Sequence, residues 1–104
     1  MSKAQGKAKV LKTTAWDPAE HIKSEKDVVA YLNAALEDGD PALIAEVLGD
    51  IARSQGMAKI AKKAGLGRES LYKSLSKDGN PGFLTVLKVV QAMGLKLTVT
   101  ADAA

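Results

Sequence analysis

The chain has no cysteine, a single histidine and four aromatic residues among its 104 positions. Without cysteine it forms neither a disulfide nor a thiolate metal site, and a lone histidine leaves an imidazole metal site short of ligands. No uninterrupted apolar run approaches the roughly 20 residues that a membrane-spanning helix needs. The basic N-terminus lacks the apolar segment of a signal peptide. We therefore expect a cytoplasmic protein with no metal, no cofactor and no membrane contact.

The sequence also lacks the patterns that catalysis requires. Neither a GxxxxGK(S/T) phosphate loop nor a GxGxxG pattern occurs. The acidic residues stand at predicted helix caps and on polar faces, and no nucleophile has a base at a suitable spacing. We therefore expect a binding protein and not an enzyme.

Alanine and leucine dominate the apolar 46% of the residues, which favours helices, and 104 residues suit one small core. Residues 1–13 carry four lysines and show no apolar periodicity. We predict that they form a disordered basic tail, which either lies along nucleic acid or is an ordinary solvated terminus. Residues 14–104 are predicted to form a single domain.

Capping signals divide this domain into helices. Asp17 and Asp40 each precede a proline, and Ser24 with Asp27 has the pattern of a capping box. Apolar residues recur at helical spacing after each cap, and glycines end the segments. The predicted helices are Trp16–Ile22, Ser24–Glu37, Asp40–Gln55, Met57–Lys63, Arg68–Ser76 and Phe83–Met93.

The helical period also predicts which side chains face the core. These are Val28, Leu32, Ala35 and Leu36, then Ile44, Val47, Leu48 and Ile51, then Leu71 and Leu75, and finally Phe83, Val86, Leu87 and Val90. The last helix carries further apolar residues on its other faces, Val89 among them. We therefore expect it to contact something besides its own core.

The period changes to that of a strand over residues 95–100, LKLTVT. Leu95, Leu97 and Val99 alternate with polar residues. A single strand leaves its backbone groups without partners, and pairing with the same strand of a second copy would satisfy them. The pattern thus predicts a C-terminal strand within a homodimer, with a frayed tail as the alternative.

A basic pair of short helices occupies the centre of the chain, over residues 56–77. Gly65 separates the two, which is the sequence signature of a helix-turn-helix. Seven basic residues and one acidic residue lie between Arg53 and Lys77, whereas residues 13–52 hold nine acidic and two basic ones. This concentration of positive charge predicts binding to double-stranded DNA.

In a helix-turn-helix the second helix enters the major groove with its N-terminal residues at the base edges. Arg68 suits guanine and Glu69 suits cytosine, while Lys73 suits phosphate. The predicted DNA-binding residues are Arg68, Glu69, Ser70, Tyr72, Lys73, Lys77 and Lys59. The alternative is that these are ordinary exposed side chains of a small helical protein.

The run GLGRESLYKSLSKDGNPGFLTVLKVVQAMGLKL, Gly65–Leu97, closely resembles the antidote, or antitoxin, proteins of type II addiction modules. WDPAEHI, YLNAALEDGDPALI and LGDIARSQGM fit the same family, so the resemblance covers about Trp16–Leu97. These proteins, often labelled prophage DNA-binding proteins, belong to the lambda-repressor-like helix-turn-helix superfamily. Gly65, Leu66, Arg68, Leu71, Tyr72 and Lys73 match the family's turn and recognition helix.

The resemblance implies an all-α, five-helix fold and an antitoxin that represses its own promoter. It also implies a small toxin partner of the RelE type, which cuts translated mRNA. On this hypothesis the protein is nucleoid-associated, and its acidic segment Trp16–Asp50 is one candidate surface for a basic toxin. The alternative is a stand-alone prophage-type transcriptional regulator that has no toxin partner.

The chain departs from the family at two positions that bear on DNA binding. Gly67 stands where serine is common, which removes a side-chain cap and one phosphate contact. Gly56-Met57-Ala58 stands where the wider superfamily often has Thr-Gln, whose glutamine grips phosphate.

Overall fold

Five helices account for the regular structure of residues 22–102, which are the residues that this computed structural model describes. They are α1 (Glu25–Asp38), α2 (Pro41–Gln55), α3 (Met57–Ala64), α4 (Arg68–Ser74) and α5 (Phe83–Ala92). Each agrees with a predicted helix to within two residues at either end. The predicted tail, His21 and nearly all of the predicted helix at residues 16–22 lie outside the described residues. No helix within residues 22–102 has the length and apolar character needed to cross a membrane.

The predicted capping box begins α1. The Ser24 hydroxyl accepts a hydrogen bond from the Asp27 amide at 3.1 Å, and Asp27 Oδ2 accepts one from the Ser24 amide at 3.2 Å. The Lys23 amide donates to the same carboxylate, and the hydrogen bonds from the Lys23 and Ser24 amides lower the pKa of Asp27. Asp40 caps α2 in a similar way, by accepting from the Ala42 amide at 3.0 Å.

The core lies around α3, which packs against α2, α4 and α5, while α1 covers α2. Most of the predicted inward residues are buried, including Leu48, Ile51, Leu71 and Leu75, each 2% exposed or less. Ile22, ahead of α1, is buried in the same cluster.

The prediction of the inward face of α5 was wrong in part. Phe83 is 73% exposed, whereas Val89 is completely buried beside Val90. Because seven of the ten residues of α5 are apolar, the helical period allows several faces, and packing against α3 selects the one centred on Val89 and Val90. Leu36 of α1 was also predicted to be inward and is 41% exposed.

Residues 95–102 form no strand, and the structure has none anywhere in the described range. The predicted C-terminal strand was therefore wrong. Gly94, at φ 83°, ends α5 in a Schellman motif, in which the Leu95 amide donates to the Val90 carbonyl at 3.1 Å. Leu95 and Leu97 then pack on the core of their own chain, while Val99 is 96% exposed.

Burial of Leu95 and Leu97 explains the alternating pattern without a sheet. An extended segment that lays every second side chain on a core has the period of a strand even when no backbone ladder forms. Within residues 22–102 of this single chain, the strand from which a homodimer was predicted therefore does not form.

Candidate nucleic-acid interface

A three-residue turn, Gly65–Gly67, joins α3 to α4. Gly65 adopts a left-handed conformation at φ 71°, and its amide donates to the Lys62 carbonyl at 3.2 Å. The Leu66 amide donates to the Ala61 carbonyl at 2.9 Å, which completes a second Schellman motif. Leu66 packs against the core, and α4 starts two residues later.

The turn and two buried leucines determine the orientation of α4. Leu71 and Leu75 are 1% and 2% exposed, so this side of the helix is anchored in the core. The other side presents the predicted residues Arg68, Glu69, Ser70, Tyr72 and Lys73, all of which are exposed. Lys77 is also exposed, in the turn that follows α4.

Arg68 and Tyr72 interact on this surface. The Arg68 Cζ lies 5.5 Å from the centroid of the Tyr72 ring, across one turn of α4. Such a cation–π contact restricts the guanidinium without using its hydrogen-bond donors, so they stay available to a ligand. Both residues were predicted from the sequence, but their contact was not.

The start of α4 has no side-chain cap. Gly67 occupies the N-cap position in an extended conformation, and no side chain accepts a bond from the first turn. Glu69 in that turn is the one charge that complements the helix macrodipole there.

Lys59 does not lie with α4. It lines a groove of about 570 Å³ between α3 and α5, together with Lys63 and Lys88. No residue of α4 lines this groove. Lys88 was not among the predicted residues, because it is far from Lys59 in the chain and only helix packing brings the two together.

Arg53 also departs from the expected basic surface. Its guanidinium donates to Oδ1 of Asp50, a carboxylate that is 3% exposed. The Tyr31 hydroxyl of α1 donates to Oδ2 of the same carboxylate at 2.9 Å. Burial and the charge of Asp50 raise the pKa of Tyr31 well above its ordinary value. Arg53 therefore neutralises the buried Asp50 carboxylate, which also accepts the hydrogen bond from α1.

Residues 22–102 thus form a small all-helical fold that exposes a short, basic helix after a tight turn. The family model for probable addiction module antidote proteins matches residues 12–101, and the chain belongs to that family. This confirms the predicted resemblance at the level of the antidote family, and an antidote in general has a toxin as its partner.

A protein of Haemophilus influenzae (strain ATCC 51907 / DSM 11121 / KW20 / Rd), described as uncharacterized, is 49% identical to this chain over 84 residues. The match covers 81% of this chain and 87% of the relative. No solved structure matches the chain.

Proposed function

We propose that this protein is a DNA-binding antitoxin that represses its own operon and neutralises a small toxin. The observation that carries the proposal is the presentation of α4. Leu71 and Leu75 hold one side of this helix in the core, and its polar side chains project into solvent. Together with α3 and the turn at Gly65, α4 acts as the recognition helix of a helix-turn-helix.

The exposed residues of α4 divide into base-reading and phosphate-binding groups. Arg68 and Glu69 stand in the first turn, which is the part of a recognition helix that meets base edges. The cation–π contact with Tyr72 holds the Arg68 guanidinium in place for guanine. Lys73 and Lys77, further along the chain, bind phosphate and position the helix.

The toxin binds a different surface, the exposed side of α1. The exposed side chains of α1 include the acids Glu25, Glu37 and Asp38, with Val29 and Leu36 as exposed apolar residues between them. A basic partner of the RelE type fits this surface by charge complementarity. Since the main packing partner of α1 is α2, we place the toxin and DNA on separate parts of the molecule.

Operator binding as a homodimer also belongs to the proposal. Helix-turn-helix dimers read two half-sites, and this two-fold arrangement does not depend on a C-terminal strand. Sedimentation equilibrium of the free chain and of its DNA complex measures the number of copies in each.

The proposal is tested by co-expressing the chain with the product of the adjacent reading frame. We expect the two to co-purify, and we expect the chain to bind its own promoter in preference to a scrambled duplex. Promoter binding without a co-purifying partner would favour the stand-alone regulator. Absence of promoter preference would refute the assignment of α4 as a recognition helix.

A further inference from the structure

We propose that the groove between α3 and α5 is a second phosphate site, which binds the sugar–phosphate backbone of DNA through Lys59, Lys63 and Lys88. This site is separate from the exposed side of α4. The proposal depends on the proposed function only in taking duplex DNA as the ligand.

The groove is positively charged. Three lysines and the amides of Gln55 and Gln91 line it, and no lining residue is acidic. Within residues 22–102, no ion pair joins any of these lysines to a carboxylate. Three uncompensated cations in a concave surface concentrate positive potential and attract anions.

The three lysines line the groove from two different helices. Lys59 and Lys63 are one helical turn apart on α3, so their side chains project from the same face. Lys88 approaches from α5 and is half-buried. Its side chain is therefore more restricted than that of an exposed lysine. Lysine binds phosphate as a point charge and does not need the paired geometry of an arginine fork.

The polar lining favours a nucleic-acid backbone over an acidic protein. Protein interfaces depend on buried aromatic or large apolar anchors in pockets. The apolar residues that line this groove are Ala64, Ala92 and Met93, and Met93 is largely buried in the core. These lining residues favour a ligand that is held by charge alone, and the DNA backbone is such a ligand.

The test uses a triple variant with Lys59→Gln, Lys63→Gln and Lys88→Gln. Its matched control carries Lys23→Gln, Lys26→Gln and Lys96→Gln, which removes the same charge from exposed positions outside the groove. Helices tolerate the glutamines that both variants introduce, and circular dichroism checks that both variants fold. The affinity of each for the promoter duplex and for a scrambled duplex is measured across a salt series.

We expect the slope of log K against log salt to become less steep in the groove variant, by about 0.9 for each lost phosphate contact and hence by about 2 to 3 in magnitude. The preference for the promoter over the scrambled duplex should stay as in the unmodified chain, because α4 is unchanged. A slope as steep as that of the control variant overturns the groove site.

A titration with inorganic tripolyphosphate separates this inference from the function of α4. In ¹⁵N-labelled protein, we expect shifts at the backbone amides of the groove residues, and these shifts do not require promoter recognition. Groove shifts with tripolyphosphate but no change in the duplex slope would assign the site to free phosphates and overturn the proposal. If the unmodified chain shows no preference for the promoter duplex, the role of α4 is refuted, but the salt slope still tests the groove.

Discussion

Gly49 of α2 lies directly against the backbone carbonyl of Leu75, just beyond the end of α4. A Cβ atom at residue 49 would stand 2.1 Å from that oxygen. The contact is with backbone, which cannot rotate away as a side chain would. The absence of a side chain at Gly49 therefore allows α2 and the end of α4 to approach each other.

Gly49→Ala is expected to destabilise the fold. Alanine gains about 1 kcal/mol over glycine within a helix. Displacing α4 from α2 costs about 1–3 kcal/mol or more, since the backbone itself must shift. We expect a net loss in urea denaturation, with Gly82→Ala as the control because no atom stands within 4 Å of a Cβ there. A variant at residue 49 as stable as this control would contradict the close approach.

Tyr31→Phe is expected to destabilise the protein through Asp50. The substitution keeps the ring but removes the hydroxyl that donates to the buried carboxylate at 2.9 Å. A buried acceptor that loses one partner costs about 1–3 kcal/mol. The free energy of unfolding at pH 7 measures this loss, and equal stability of the two proteins would show that Arg53 alone satisfies Asp50.

The same substitution should change how stability depends on alkaline pH. The folded state raises the pKa of Tyr31, so the unfolded chain loses this proton first. The contribution of Tyr31 is fully present below its ordinary pKa of about 10 and declines as the pH rises above it. We expect the stability difference between the native chain and Tyr31→Phe to shrink between pH 9 and pH 11, and a constant difference would contradict the raised pKa.

Arg68→Ala combined with Lys73→Ala should abolish operator binding while folding and the number of associated copies stay unchanged. Loss of one bidentate base contact costs about 1–3 kcal/mol, and loss of a phosphate contact adds to it. Both side chains are exposed, so the core is untouched. A gel shift with the promoter measures the effect, and Lys23→Ala with Lys96→Ala provides a control with the same loss of charge. Unchanged affinity would refute the assignment of the recognition helix.

Gly67→Ser is expected to stabilise the start of α4. Gly67 already has the extended conformation of an N-cap residue, and a Cβ there would meet no atom closer than 3.7 Å. A serine hydroxyl would accept from the first turn, and the unfolded chain would lose flexibility, for a gain of about 0.5–1 kcal/mol. Thermal unfolding measures the gain, and no rise in Tm would show that the first turn is already satisfied by water.

The helix ends were predictable because their signals are local. Ser24 and Asp27 form their capping box within one turn, and Gly65 and Gly94 end their helices by hydrogen bonds that span five residues. The outward placement of Arg68 and Lys73 followed in the same way, from the spacing of Leu71 and Leu75. Each depends on residues close together in the chain.

The errors concern residues that are distant in the chain. Phe83 fits the helical period as well as Val89 does, and only the contact of α5 with α3 distinguishes the two. The alternation of Leu95 and Leu97 is that of a strand, but the core of their own chain provides the apolar surface.

The sequence by itself determined the five helices, the turn at Gly65 and the basic character of the residues around α4. It also determined the relation to the antidote family, because the distinctive run of residues is continuous. Only the tertiary structure decided that Asp50 is buried and bonded to Tyr31 of α1, and that Lys59 and Lys63 meet Lys88 beside α5. The physical reason is that charge and burial depend on which helices pack together, whereas caps and turns depend on neighbours along the chain.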